Sequence, residues 1–389
     1  MWPLHGQVRN YAWGSSTAIP ELLGQDPTGE PQAEYWLGAH PIAPSEIDGA
    51  PLDRLLREHP EWVGKRCLRT FGHRYPVLMK LLAADKPLSL QAHPDRAQAE
   101  EGFAREEAAG LPLNSPERIY KDDWPKPEVL IALTEFDGLC GFREPAATVE
   151  LFRRLGLAKE LDSVLKPLSQ RKGSAALAQV FLDILSLEDD AIVTTTVQAA
   201  RAHVDDPYEV GEMARTAVTL DANFPHHPSI LAALLLNHVH LEPGEAMYLP
   251  PRTLHSYLAG VGVEVMASSD NVLRGGLTNK HIDVDELIRV VDFAPSEYEP
   301  VERTMVDGFL RYLTPAAEFT VWCGELNHDR VTLPATKACR IVLATDGEAE
   351  LRSSTETLNL DVGDAALVPY GEEVSAAGSA TLFVTAPGT

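Results

Sequence analysis

The chain has 389 residues, enough for two or three domains with sizeable cores, and 44% hydrophobic against 23% charged residues is a globular, soluble balance. Its 57 acids against 33 Lys and Arg give a net charge of −24, which repels phosphate backbones and anionic lipid surfaces and so excludes nucleic acid and membranes as partners. An anionic small substrate remains admissible if a local basic pocket overcomes that field, with Lys80, Lys86, Lys126, Arg274 and Lys280 as its candidates.

At the N-terminus, Met1 to Gly6 shows no basic segment followed by an apolar run, and the longest apolar stretch, Ile230 to Leu236, is far too short to span a bilayer. A cytoplasmic protein is the expectation. From Val8 to about Gly141 the chain is rich in Pro, Gly, aromatics and strand-like runs such as Tyr75 to Leu82, interrupted by a helix near Asp95 to Ala109. This texture predicts a β-sandwich with excursions.

Within that region Lys86-Pro87-Leu88-Ser89-Leu90-Gln91-Ala92-His93-Pro94-Asp95 alternates polar and apolar residues. As a strand it places Ser89, Gln91 and His93 on one face and Leu88, Leu90 and Ala92 in a core, while the two prolines keep its ends extended. An ordinary half-buried strand shows the same period, so this run alone leaves the choice open. Farther on, Trp124-Pro125-Lys126-Pro127-Glu128 is held extended by its prolines, with Lys126 and Glu128 on one side, at a sheet edge or in a rigid loop. In isolation a solvated proline-rich turn is the simpler reading.

From Pro145 to about Asn223 the period becomes helical, with Val149, Leu151, Phe152 and Leu155, then Leu177, Val180, Phe181, Ile184 and Leu185. Asp205-Asp206-Pro207 and Asn223-Phe224-Pro225 punctuate the last helix, so the segment reads as a helical insert, expected to cover one edge of a substrate cleft. Strands resume by Val239, a helix is predicted at Val284 to Asp292, and Asp307 to Phe383 reads as short strands between turns.

Gly244 to His255 contains a strand, a proline turn and a His opening the next strand. Gly363 to Val374 repeats its Gly, acid, apolar run and Pro at matching offsets, with Val374 where His255 stands. A His present in one copy and apolar in the other has a task other than closing the turn. The spacing from Gly through Pro to His resembles the second motif of the cupin barrel. Cys67, Cys140, Cys323 and Cys339 are scattered without a CxxC pair, which suggests neither a zinc knuckle nor a disulfide framework.

Taken end to end, the chain resembles the type I mannose-6-phosphate isomerases of the cupin superfamily. The resemblance rests on five blocks in order: Tyr11 to Ser15, Glu34 to Pro41, Leu90 to Asp95, Lys126-Pro127-Glu128, and Ser268 to Thr278. It implies a mainly β fold with two cupin-like jelly-roll units plus an all-α domain, divided as 1–145 and 223–304 for the catalytic unit, 146–222 for the insert and 305–389 for a degenerate C-terminal unit. The family's pattern puts one Zn²⁺ on Gln91, His93, Glu128 and His255, and the catalytic arginine on Arg274. The chain departs from the family in having Trp124-Pro125 where Asn-His is usual, which puts part of the support around the metal in doubt.

Such residues suit interconversion of mannose 6-phosphate and fructose 6-phosphate through an enediol, with zinc as a redox-inert Lewis acid. Arg274 would offset the enediolate charge, Lys126 or a metal-bound water would move the proton, and Ser89 and Lys80 would hold the sugar phosphate. The expected partner is a small sugar phosphate and the expected state a monomer. Two alternatives are a cupin metal oxygenase, against which Gln in place of a third His counts, and a non-catalytic sugar-phosphate-binding cupin, against which the full set of ligand and catalytic positions counts.

Overall fold

The strand His255–Ala267 belongs to both sheets of the first unit. Gly260 lies in its middle at φ +124°, where a Cβ would meet the Phe136 ring and the Glu135 carbonyl, so glycine permits the bend there. Before the bend the strand pairs with Phe136–Phe142 and meets Leu90–Ala92; after it, it pairs with Val77–Ala84 and Glu128–Ala132. One sheet continues to Glu34–Gly38 and Gln7–Arg9 on one side and Ala246–Leu249 on the other, and the second carries Leu236–Leu241 and Leu273–Gly276. Leu82, Leu130, Phe136, Met247 and Tyr257 fill the space between them. The computed structural model describes residues 1–157, 159, 162–171 and 173–388.

The C-terminal unit is a nine-stranded sheet centred on Arg340–Arg352 and Ser375–Ala386. These strands are twice the length of the short ones expected, because each runs through a register irregularity or glycine without leaving the sheet. Trp2–Pro3 pairs with Ala365–Val368, so the chain's first strand lies on this sheet although its sequence position counts it with residues 1–145. Met79, Leu81, Val263 and Val265 from the first unit and Ile341, Leu343, Leu367 and Phe383 from the second form one core between the units.

Between Pro145 and Asn223 the described residues form five helices, from Pro145–Arg154 to Tyr208–Asn223. Leu177, Phe181 and Ile184 share a core with Leu90, Ala92, Leu254 and Leu273. The insert therefore packs on the outer face of the sheet that carries Gln91 and Arg274, where Leu90 and Ala92 need burial and the helices supply it; Leu88, expected on the same face, joins the core between the two sheets instead, because the strand begins only at Leu90. Three short helices, Leu52–Glu58, Pro60–Val63 and Lys65–Phe71, fall where only strands were expected. Each is at most two turns and bounded by Pro or Gly, too short to display a helical period.

The 95–109 helix forms as expected, over Arg96–Ala108, and Asp95 caps it. The Asp95 carboxylate accepts from Gln98 N at 2.9 Å while Asp95 N donates to Gln98 Oε1 at 3.0 Å. This capping box ends the extended run straight after His93-Pro94 and fixes how the chain leaves the site.

Candidate metal centre

Register assembles the first part of the site. Gln91 stands opposite His255 on one neighbouring strand and opposite Arg274 on the other, and directly opposed residues project to the same face. A row Arg274, Gln91, His255 thus faces the inside of the first unit, extended by Cys140 beyond His255. Leu90 and Ala92 point the other way into the insert core, as the alternation predicts. Glu128 comes from the opposite sheet, where it opens a strand paired on both sides. The residues before it form no strand, the rigid extended loop that the prolines predict, and Lys126 and Glu128 do lie together, with Nζ 3.1 Å from Oε1.

His93, Glu128 and His255 are all buried, and their donor atoms lie within 4.8 Å of one another. Glu128 Oε2 is 3.4 Å from His93 Nε2 and 3.6 Å from His255 Nε2. Each ring's other nitrogen faces a backbone carbonyl: His93 Nδ1 donates to Asn271 O at 2.7 Å, and His255 Nδ1 to Thr253 O at 3.0 Å. A carbonyl can only accept, so Nδ1 carries the proton in both neutral rings and both Nε2 atoms are bare acceptors aimed at a carboxylate oxygen.

Protonation does not relieve that opposition. Burial, then the Lys126 charge, holds the His93 pKa down to about 4, and burial lowers that of His255. Burial alone would raise the Glu128 carboxyl, but the Lys126 charge beside it acts the other way and the group is held well below its ordinary range. His93 Nε2 has no hydrogen-bond partner. A bare buried nitrogen facing an anionic oxygen is costly unless a cation lies between them. Two imidazoles and a carboxylate are zinc-type donors, and Gln91, half-buried in the adjoining row, can add an oxygen.

Lys80 reaches the same interior but not as an open contact for an anion. Its ammonium lies 2.9 Å from Glu264 and 3.3 Å from Glu34 and sits over the Trp36 ring at 5.1 Å. Burial opposes its charge, yet Glu264, Glu34 and Glu128 outweigh burial and raise its pKa. Tyr257 donates to Glu264 at 2.8 Å and Trp36 Nε1 to Glu34 at 2.8 Å, closing the network. A lysine centred in a strand paired on both sides is buried among its cross-strand neighbours, Trp36 and Glu264. Ser89 is half-buried just before the Gln91 strand.

Arg274 is half-buried and, among the described residues, pairs with no carboxylate; burial lowers its pKa, and its charge in turn lowers that of Lys280. Trp124 packs against Phe71, with the Arg74 and Arg96 guanidiniums over its ring at 5.4 and 5.8 Å. Its carbonyl accepts from Asn271 Nδ2 at 2.9 Å, so this segment supports the site through its backbone. Sequence reasoning missed Glu34, Glu264, Tyr257 and Asn271. Only Glu34 and Asn271, each inside a block already singled out, carried a signal.

Comparison with known proteins agrees with this geometry. The model of the family described as "Phosphomannose isomerase type I, catalytic domain" matches residues 1–145. The mannose-6-phosphate isomerase of Escherichia coli K12 is 35% identical over 96% of this chain and 95% of its own length, and that of Salmonella typhimurium 36% identical over 98% of each. Two crystal structures superpose over all of this chain. One, of mannose 6-phosphate isomerase bound with zinc and yttrium, has a TM-score of 0.90 at 34% identity and is covered completely. The other, the apo form from Salmonella typhimurium, has a TM-score of 0.91 at 34% identity, with 99% of it covered.

Proposed function

The chain belongs to the type I phosphomannose isomerase family, and from that premise we propose that it interconverts mannose 6-phosphate and fructose 6-phosphate with one Zn²⁺ held by Gln91, His93, Glu128 and His255. The observation that carries the reading is the unpartnered His93 Nε2 facing Glu128 Oε2 at 3.4 Å, which calls for a cation. Bound there, zinc supplies a Lewis acid for the sugar oxygens without a change of redox state.

The chain's own residues do the rest. Arg274, free of any carboxylate partner among the described residues, offsets the negative charge of the enediolate formed when the C2 proton leaves. Lys126, within hydrogen-bonding distance of Glu128, carries that proton from C2 to C1, as a free amine that has first given up its own proton, accepts at C2 and donates at C1. With Lys80 committed to Glu34 and Glu264, the phosphate falls to Lys280 beside Arg274, and Ser89 adds a hydroxyl on the Gln91 face. The reading includes a monomer working in the cytoplasm, away from nucleic acid; among the described residues no helix is long and apolar enough to cross a membrane.

The test is to strip the protein of metal and follow fructose 6-phosphate formation from mannose 6-phosphate with and without added Zn²⁺. Turnover restored by zinc is expected. Tight sugar-phosphate binding without turnover would sink the reading and leave a binding protein, and turnover of an oxidative kind with iron would replace it with an oxygenase.

A further inference from the structure

The segment Ser269-Asp270-Asn271 is gripped by one half-buried side chain, Asp122. The Asp122 carboxylate accepts from Ser269 Oγ at 2.8 Å, from Asp270 N at 2.9 Å and from Trp124 N at 3.0 Å. Asn271, fully buried, answers by accepting from Lys121 N at 2.7 Å and Asp122 N at 3.2 Å through Oδ1, while its Nδ2 donates to the carbonyls of Asp122 and Trp124 at 2.8 and 2.9 Å. On the far side His40 Nε2 lies 3.4 Å from the Asp270 carboxylate. Asn271 N donates to Ser269 Oγ at 3.3 Å, and the Asn271 carbonyl is left to accept from His93 Nδ1 at 2.7 Å.

We propose that Asp122 is a positioning residue for the metal centre: by clamping Ser269–Asn271 against the loop that leads to Lys126 and Glu128, it holds the Asn271 carbonyl that sets the ring of His93. The proposal rests on the zinc reading given above. The geometry adds two things to that reading. The His93 orientation depends on a carbonyl whose place is set by a side chain distant from the metal, and outer partners of this kind tune ligand orientation and basicity. The same carboxylate also ties together the two segments that bring Glu128 and Arg274, so one group fixes the spacing of a ligand and the cation that faces the substrate. The grip uses both carboxylate oxygens as acceptors: an Asn at 122 keeps one oxygen for Ser269 and Trp124 but turns an NH2 toward the Asp270 N–H, whereas Ala keeps no acceptor.

The experiment compares Asp122→Ala, Asp122→Asn and, as a ligand control, His93→Ala. It reads zinc affinity by chelator competition, the visible absorption bands of the Co²⁺-loaded protein and the melting of the metal-free protein. Asp122→Ala is expected to weaken zinc binding about 10–100-fold and to change the cobalt bands, with Asp122→Asn restoring part of both through the oxygen it keeps for Ser269 and Trp124. Wild-type affinity and cobalt bands in Asp122→Ala, beside lost zinc in His93→Ala, would overturn the clamp and leave the metal site standing. Equal losses in the Ala and Asn variants would overturn it too, since the oxygen that Asn still offers to Ser269 and Trp124 would then hold nothing in place. Zinc binding unchanged in His93→Ala would remove the metal reading itself and the proposal with it. Should Asp122→Ala fail to fold, Ser269→Ala carries the same comparison, weakened zinc supporting the clamp and wild-type affinity overturning it.

Discussion

His255 and Val374 close the same turn in the two units of this chain. Each follows a glycine of positive φ, Gly244 at +84° and Gly363 at +87°, then a strand, Ala246–Leu249 or Ala365–Val368, and a proline. Val374 is 1% exposed and lies in the apolar core of its unit with Leu333, Val342 and Leu382; His255 is just as deeply placed but turns its Nε2 toward Glu128. The turn tolerates either residue, so the imidazole is there for its nitrogen.

His255→Val is therefore expected to leave the metal-free fold within about 2 kcal/mol of wild type, the only polar loss being the hydrogen bond to the Thr253 carbonyl. Zinc affinity should fall by more than the roughly 10–100-fold typical of an outer partner, and turnover with it. Denaturant unfolding beside chelator titration checks both, and collapse of the metal-free variant would show that the His also serves the fold.

Acid should weaken the metal-free protein over a definite window. His93 has a folded pKa of about 4 against an ordinary 6.5, so between these values the unfolded chain holds a proton that the folded chain does not. Stability contributed by the neutral ring is full above 6.5 and is lost as pH falls toward 4, on the order of 3 kcal/mol for this group. His255 shifts in the same direction. Urea unfolding between pH 7.5 and 4.5 tests this, with a flat profile as the contrary result; zinc should be released with proton uptake over the same range.

Removing one partner of the Lys80 network should be severe and removing two much less so. Lys80→Met leaves Glu34 and Glu264 facing each other without a cation, a loss of about 3–5 kcal/mol. In Lys80→Met/Glu264→Gln one of those charges is gone, and more than half of the loss should return. A double-mutant cycle in denaturant measures the coupling, and simple additivity would mean the charges are not read as a unit.

Arg274→Ala should lower kcat about 10²–10³-fold with a smaller change in KM, as expected for a cation that acts on developing charge. Arg274→Lys should restore only part, since an ammonium does not reproduce the guanidinium fork. Equal loss in KM and none in kcat would make Arg274 a phosphate contact only.

Gly102→Ala reverses a propensity rule. Gly102 lies inside the helix Arg96–Ala108, where Ala is ordinarily better by about 1 kcal/mol, but a Cβ there would stand 2.3 Å from the Tyr120 ring. Tyr120 is fully buried and donates to Glu286 at 2.6 Å, so it cannot move aside cheaply. A net destabilisation of about 1–3 kcal/mol is expected in chemical unfolding. A gain in stability would show that the ring gives way.

The sequence by itself determined what is local. Alternation in 88–93 separated the Gln91 and His93 face from the Leu90 and Ala92 face, paired prolines made 124–127 extended, and helical spacing marked the insert, because each is a property of neighbouring dihedrals and side-chain periods. The offset between Gly244 to His255 and Gly363 to Val374 showed that only one unit needs its imidazole. Tertiary structure alone decided how lysines divide their work. Lys80 and Lys126 look alike in the chain, but pairing across strands puts Glu264 opposite the first, with Glu34 close by, while the second keeps its sequence neighbour Glu128. It alone decided also that Asp122, Asn271 and His93 form one chain of contacts and that the insert backs the ligand sheet. Those partners lie many residues apart, and nothing short of the assembled sheets sets the register that brings them together.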